Sequence, residues 1–260
     1  MSNKSYDLTP SFFKTQEMFE KYLGQTSYYN VLQNDILKLC SFINPKIILE
    51  LGSATGSTSM LLARNNPQSK IIGIDMRQDV VNVANILSRE SNIQNVSFKK
   101  SDFLEYSGYS EVDFIVMLYS FHHIPDPIVE KEKFLYKLKS ETDKGTYLCI
   151  GETFLPKRYS DMNKDEILEF WNLRAEEGRA STFWSSLNGL EKESVLKSTD
   201  IADFCAKHES IAGIEVAKRE TEFLVTSKEL IEMSKHIGWE TIISFPCNTI
   251  GEEIVLLKNC

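Results

Sequence analysis

KIILELGSATG, residues 46–56, is a short apolar run that breaks into a glycine-bearing turn, and STSMLLAR at 57–64 continues it as a helix. KIIGIDM at 70–76 is a second apolar run, ending in Asp75, with another helical stretch from Asp79 to Glu90 behind it. Apolar runs rich in Ile and Val that alternate with helices predict a mostly parallel sheet covered on both faces, a doubly wound α/β fold. Gly52 and Gly56 let the backbone approach a ligand closely, while the amides that open the following helix offer donors. A carboxylate at the end of the second strand can accept two hydrogen bonds from a ribose diol and disfavours a 2′-phosphate. Lys and Ser/Thr do not follow Gly56, so a Walker phosphate loop is excluded, and the spacing is not G-x-G-x-x-G.

Working outward, further strands are expected at Asn95–Lys100, Val112–Ser120, Thr146–Ile150, Glu240–Phe245 and Glu253–Lys258, with a helix over 126–139. Between Ile150 and Ser227 the alternation stops for far longer than the roughly 2 to 6 residues usual in such connections. This predicts a helical insertion, opened by KDEILEFWNLRAEEG, with Ile167, Leu168, Trp171 and Ala175 on one face and an end at Gly178. Ser227 is expected to cap a helix that Gly238 closes. Two helices, over 10–23 and 27–43, precede the first strand. The division expected is therefore 1–45 as amino-terminal cap helices, 46–151 with 227–260 as the sheet core, and 152–226 as a helical lid.

The 260 residues are 42% hydrophobic and 25% charged with a net charge of -8, which excludes disorder and repels polyanions, so no nucleic-acid partner is expected. The five cysteines are scattered without a C-x-x-C pair and read as reduced thiols. No signal peptide or membrane-length apolar run is present, which places the chain in the cytoplasm as an expectation. A homodimer is compatible with this sequence.

The residues quoted resemble the class I S-adenosylmethionine-dependent methyltransferases of small-molecule type, over Lys46–Ile150 and again over Ser227–Lys258. In that family the turn reads acidic-x-Gly-x-Gly-x-Gly; here it is Glu50, Leu51, Gly52, Ser53, Ala54, Thr55, Gly56, with Ala54 replacing the middle glycine, a mild departure where φ is ordinary. The resemblance implies a seven-stranded, Rossmann-like sheet and S-adenosyl-L-methionine as cofactor. Glu50 and Gly52 would line its methionine end, Ser53 and Gly56 of the same turn would also bind the cofactor, Asp75 would hold its ribose, and Met76 would lie against its adenine. Asp102, with Phe103 beside it, would accept from the adenine amino group, although Asp102 also suits a turn.

The segment VDFIVMLYSFHHIPD brings Leu118 and Tyr119 to the sulfonium and His122 or His123 to the acceptor. One of the two adjacent histidines would act as base, His123 taken ahead of His122, and a structural role in orienting the loop stays open. No metal is expected, because neighbouring histidines seldom reach one ion together; a metal held by either histidine with Glu152 is the variant left open. Tyr28, Tyr29, Glu152, Trp171, Arg174 and Trp184 are the candidate acceptor contacts. The reading is methyl transfer to a small molecule; an RNA or protein methyltransferase and a non-catalytic cofactor-binding module are the alternatives.

Overall fold

The computed structural model describes residues 27–125, 128–186, 213–214, 216–218, 222–249 and 251–260. The helix expected over 10–23 and much of the second half of the insertion lie outside the described residues. Seven strands form one sheet in the order β3-β2-β1-β4-β5-β7-β6. They are β1 (Ile47–Leu51), β2 (Lys70–Asp75), β3 (Val96–Lys100), β4 (Phe114–Leu118), β5 (Tyr147–Thr153), β6 (Trp239–Pro246) and β7 (Glu252–Asn259). The first five are parallel, and β7 runs antiparallel to both β5 and β6. The helices are α1 (Ser27–Ile43), α2 (Ser57–Asn65), α3 (Gln78–Glu90), α4 (Val129–Glu141), α5 (Lys164–Ser186) and α6 (Ser227–Ile237).

Side chains that alternate along each strand serve two cores. Leu49, Ile72, Ile74, Ile115, Met117, Ile150, Val255 and Leu257 pack with Phe134, Leu135 and Leu138 of α4 and Leu230 and Met233 of α6. The opposite face of β3 packs through Phe98 against Met60, Val81 and Ala84 of α2 and α3. All five residues of β4 are buried, as a central strand covered on both faces requires. Each fully buried aliphatic side chain contributes about 1.5–3 kcal/mol.

The chain divides into two compact units: residues 31–161 with 223–260, which hold the whole sheet, and residues 1–30 with 162–222. In the second unit, Ile167, Trp171 and Ala175 are buried along α5, as the sequence pattern predicts. The helix does not stop at Gly178 but continues to Ser186, because an interior glycine costs only about 1 kcal/mol relative to alanine and no proline follows it. The cap of α6 also differs by one position: Thr226 is the N-cap and Ser227 the first helical residue. Gly238 closes α6 in the left-handed conformation, φ 97°. No helix among the described residues is long and apolar enough to cross a membrane.

Candidate active site

Because β1, β2, β4 and β5 are parallel, their carboxyl ends share one edge of the sheet, and Glu50, Asp75, Leu118 and Glu152 stand there. Open α/β sheets bind ligands at this edge.

The turn after β1 is built for close approach. Gly52 has φ 77°, and a Cβ there would lie 2.6 Å from the Ser120 Cβ, so only glycine fits. Ala54 is also left-handed, at φ 45°, so replacing the middle glycine is not conformationally mild: the position carries about 1–2 kcal/mol of strain. Its amide is held by Asp75, whose Oδ2 accepts from Ala54 N at 2.9 Å while Oδ1 accepts from Arg77 N at 2.9 Å. A carboxylate has about four acceptor positions, so both oxygens retain capacity for a diol. Burial pushes the Asp75 carboxyl above its ordinary range, against the opposing pull of the Arg77 and Ala54 amides. Glu50 is 2% exposed, and burial lifts its pKa to about 7 although Ser59 and Thr58 donate to it. The Ser53 hydroxyl is buried with no hydrogen-bond partner among the described residues. Met76 is 53% exposed, which removes core packing as the reason for it.

After β3, Asp102 Oδ1 accepts from Leu104 N at 2.8 Å, the turn arrangement that its residue type allows. Phe103 packs edge-on against Phe134, ring centroids 5.5 Å apart, so it belongs to the core beneath the site. After β4, Tyr119 adopts φ 49°, and its hydroxyl donates to Glu252 Oε1 at 3.2 Å. A short 3-10 turn, Phe121–His123, then carries both histidines.

Here the fold separates the pair. Nδ1 of His122 lies 2.9 Å from Glu152 Oε2, and Glu152 is 2% exposed. His123 is exposed, its ring stacked edge-on against that of His122. Glu152 thus joins His122, the second choice of the two on sequence, and adjacent residues of a 3-10 turn point about a third of a turn apart. Glu152 is buried, and its Oε1 accepts from Thr153 N at 2.9 Å.

In the other unit, Arg174 is 2% exposed with its guanidinium 4.5 Å from the Trp171 ring centroid, a stacked cation rather than a solvated one. Trp171 is 5% exposed and Tyr29 half-buried; the side chains of Tyr28 and Trp184 lie outside those described. Sequence reasoning missed Ser59, Glu252 and Lys131. Their partners are distant in the chain, and only Ser59, one turn into the helix after the glycine turn, had a local signal.

Residues 44–178, just over half of the chain, match the family described as Methyltransferase domain. This chain belongs to the class I S-adenosylmethionine-dependent methyltransferase family. A curated relative, the release factor glutamine methyltransferase of Aliivibrio fischeri (strain ATCC 700601 / ES114), is 32% identical over 62 residues, covering 24% of this chain and 22% of its own length. The chain thus spans about a fifth of that relative. Among solved structures, the mitomycin 7-O-methyltransferase MmcR superposes with a TM-score of 0.61 at 14% identity, covering 98% of this chain and 60% of that one. An Aquifex aeolicus SAM dependent methyltransferase gives 0.54 at 16%, covering 94% and 98%. These likenesses place the fold, including the antiparallel β6–β7 pair, within the family. The family's cofactor fits the groups present: the turn at Gly52 leaves no room for a side chain, Asp75 keeps acceptor capacity beside it, and Met76 offers an exposed apolar surface.

Proposed function

We propose that this chain transfers a methyl group from S-adenosylmethionine to a small-molecule acceptor, with His122 as the base. The observation that carries this reading is the His122–Glu152 pair on the same sheet edge as Asp75 and the glycine turn. S-adenosylmethionine, when bound, supplies a methyl group made electrophilic by a positively charged sulfur. Asp75 would hold the ribose hydroxyls, Glu50 with the Gly52–Gly56 turn the methionine end, and Met76 with Asp102 the adenine.

With Nδ1 of His122 donating to Glu152, the ring passes protons through Nε2, and the buried carboxylate stabilises the imidazolium that results. A placed base of this kind contributes roughly 10² to 10⁴-fold in rate. The net charge of -8 disfavours a polyanionic acceptor, and a relative named for mitomycin 7-O-methylation agrees with a small one. The free thiols of Cys40, Cys149, Cys247 and Cys260 suit a cytoplasmic setting.

Isothermal titration with S-adenosylhomocysteine should give binding of about micromolar strength, weakened at least about tenfold by Asp75→Ala. Transfer of labelled methyl to a metabolite extract should fall by roughly 10² to 10⁴-fold in His122→Ala. No binding by the unmodified chain would remove the reading. An undiminished rate in His122→Ala would remove the base.

A further inference from the structure

Lys131 lies in the first turn of α4 and is 0% exposed. An ammonium is among the costliest groups to bury, and a side chain needed only to fill volume there would be leucine or methionine. Two backbone carbonyls are among what it touches. Nζ donates to the carbonyl oxygen of Phe121 at 2.7 Å and to that of Ile124 at 2.9 Å, and sits 4.7 Å from the Phe121 ring centroid. Those two carbonyls bracket His122 and His123.

The turn between them is held from within, among the described residues, by two long bonds. Its own hydrogen bonds, His123 N to Ser120 O and Ile124 N to Phe121 O, are both 3.3 Å long. Contacts from outside the turn hold it as well. The Ser120 hydroxyl donates to Leu51 O at 2.7 Å, and Phe223 N donates to His122 O at 2.9 Å. Glu152 accepts from His122 on the far side. Lys131 grips both ends of the turn at once, and its charge strengthens both bonds.

We propose that Lys131 is a positioning residue, whose ammonium locks the Phe121–Ile124 turn so that Nδ1 of His122 remains on Glu152. Its value to catalysis rests on the assignment of His122 as base; the lock itself does not. Lysine fits this task because three rotatable donors on a flexible stem can reach two carbonyls from beneath. Methionine would fill the same volume and leave both carbonyls buried without that donor.

The test is the imidazole ¹⁵N spectrum of the full chain. In the unmodified protein His122 should give the pattern of a ring protonated on Nδ1, and in Lys131→Met that pattern should be lost to a mixture of tautomers. Leu138→Ala removes core volume from the same helix and should leave the His122 pattern unchanged, which separates positioning from general destabilisation. Binding of S-adenosylhomocysteine should stay within about twofold in both variants, since neither touches the glycine turn. An unchanged His122 pattern in Lys131→Met would overturn the proposal, as would its equal loss in Leu138→Ala. Should Lys131→Met not fold, the unmodified protein still decides. Its Lys131 ammonium should exchange slowly and show coupling across hydrogen bonds to the carbonyl ¹³C of Phe121 and Ile124, and absence of both couplings would equally overturn it. None of these readouts requires His122 to be the base, so failure of the base leaves them standing.

Discussion

Glu50 is an acid whose surroundings oppose its charge. It stands next to last in β1, 2% exposed, and burial outweighs the hydroxyl donors of Ser59 and Thr58 to bring its pKa to about 7. The folded protein therefore binds a proton that the unfolded chain, near 4.5, has released, so stability is fully present below about pH 4.5 and falls as pH rises toward 7. A shift from 4.5 to about 7 corresponds to about 3 kcal/mol at high pH. Glu50→Gln keeps the shape and removes the ionisation. Its stability relative to the unmodified chain, measured by urea unfolding, should rise by about 2 kcal/mol between pH 5 and pH 8; a constant difference would mean that Glu50 is already ionised in the fold. Ala54 shows the same residue-level logic in the backbone: the Asp75 carboxylate that accepts its amide keeps a non-glycine residue left-handed.

Among the elements, α6 depends most visibly on its ends. The Thr226 hydroxyl accepts from Glu229 N at 3.0 Å and the Glu229 carboxylate accepts from Thr226 N at 2.9 Å, a complete capping box. Thr226→Ala should lower stability by about 1 kcal/mol with an unchanged denaturant slope; a change within 0.3 or so would show that packing of Leu230 and Met233 alone sets this helix. The same helix shows what was legible. Its existence, its apolar face and its stop at Gly238 follow from spacing, but with Thr226 and Ser227 adjacent the cap was assigned one residue late. The Thr-x-x-Glu pair at 226 and 229 was the signal that resolves it. The strands were legible because most carry a short apolar core, unbroken in β4 as FIVML. Gly178 misled because glycine marks a helix end only when the chain also turns left-handed there. Asp75 could be read from its place at a strand end, whereas the contacts of Lys131, Glu252 and His122 span 7 to more than 100 positions, which no local pattern encodes.

At the scale of the molecule, the sheet is assembled from two separate segments, 31–161 and 223–260, and the second inserts β7 and β6 beside β5. The residues assigned to S-adenosylmethionine all come from the first segment, at the ends of four different strands or the turns after them. The second closes on the site through the Phe223 bond to His122. A ligand gripping the ends of β1, β2 and β3 together must lose those contacts whenever the sheet opens, so its binding energy adds to the stability of the sheet as a whole. With S-adenosylhomocysteine at about a hundred times its dissociation constant, the gain is about 2.7 kcal/mol. For a body of this size that should raise the melting temperature by about 5–10 °C in a thermal scan. Asp75→Ala, compared at the same ligand concentration, should keep about half of that rise or less, because a site weakened about tenfold is then at only about ten times its dissociation constant and gains about 1.4 kcal/mol. An equal rise in both proteins would put the bound ligand somewhere other than the edge where Asp75 faces the glycine turn.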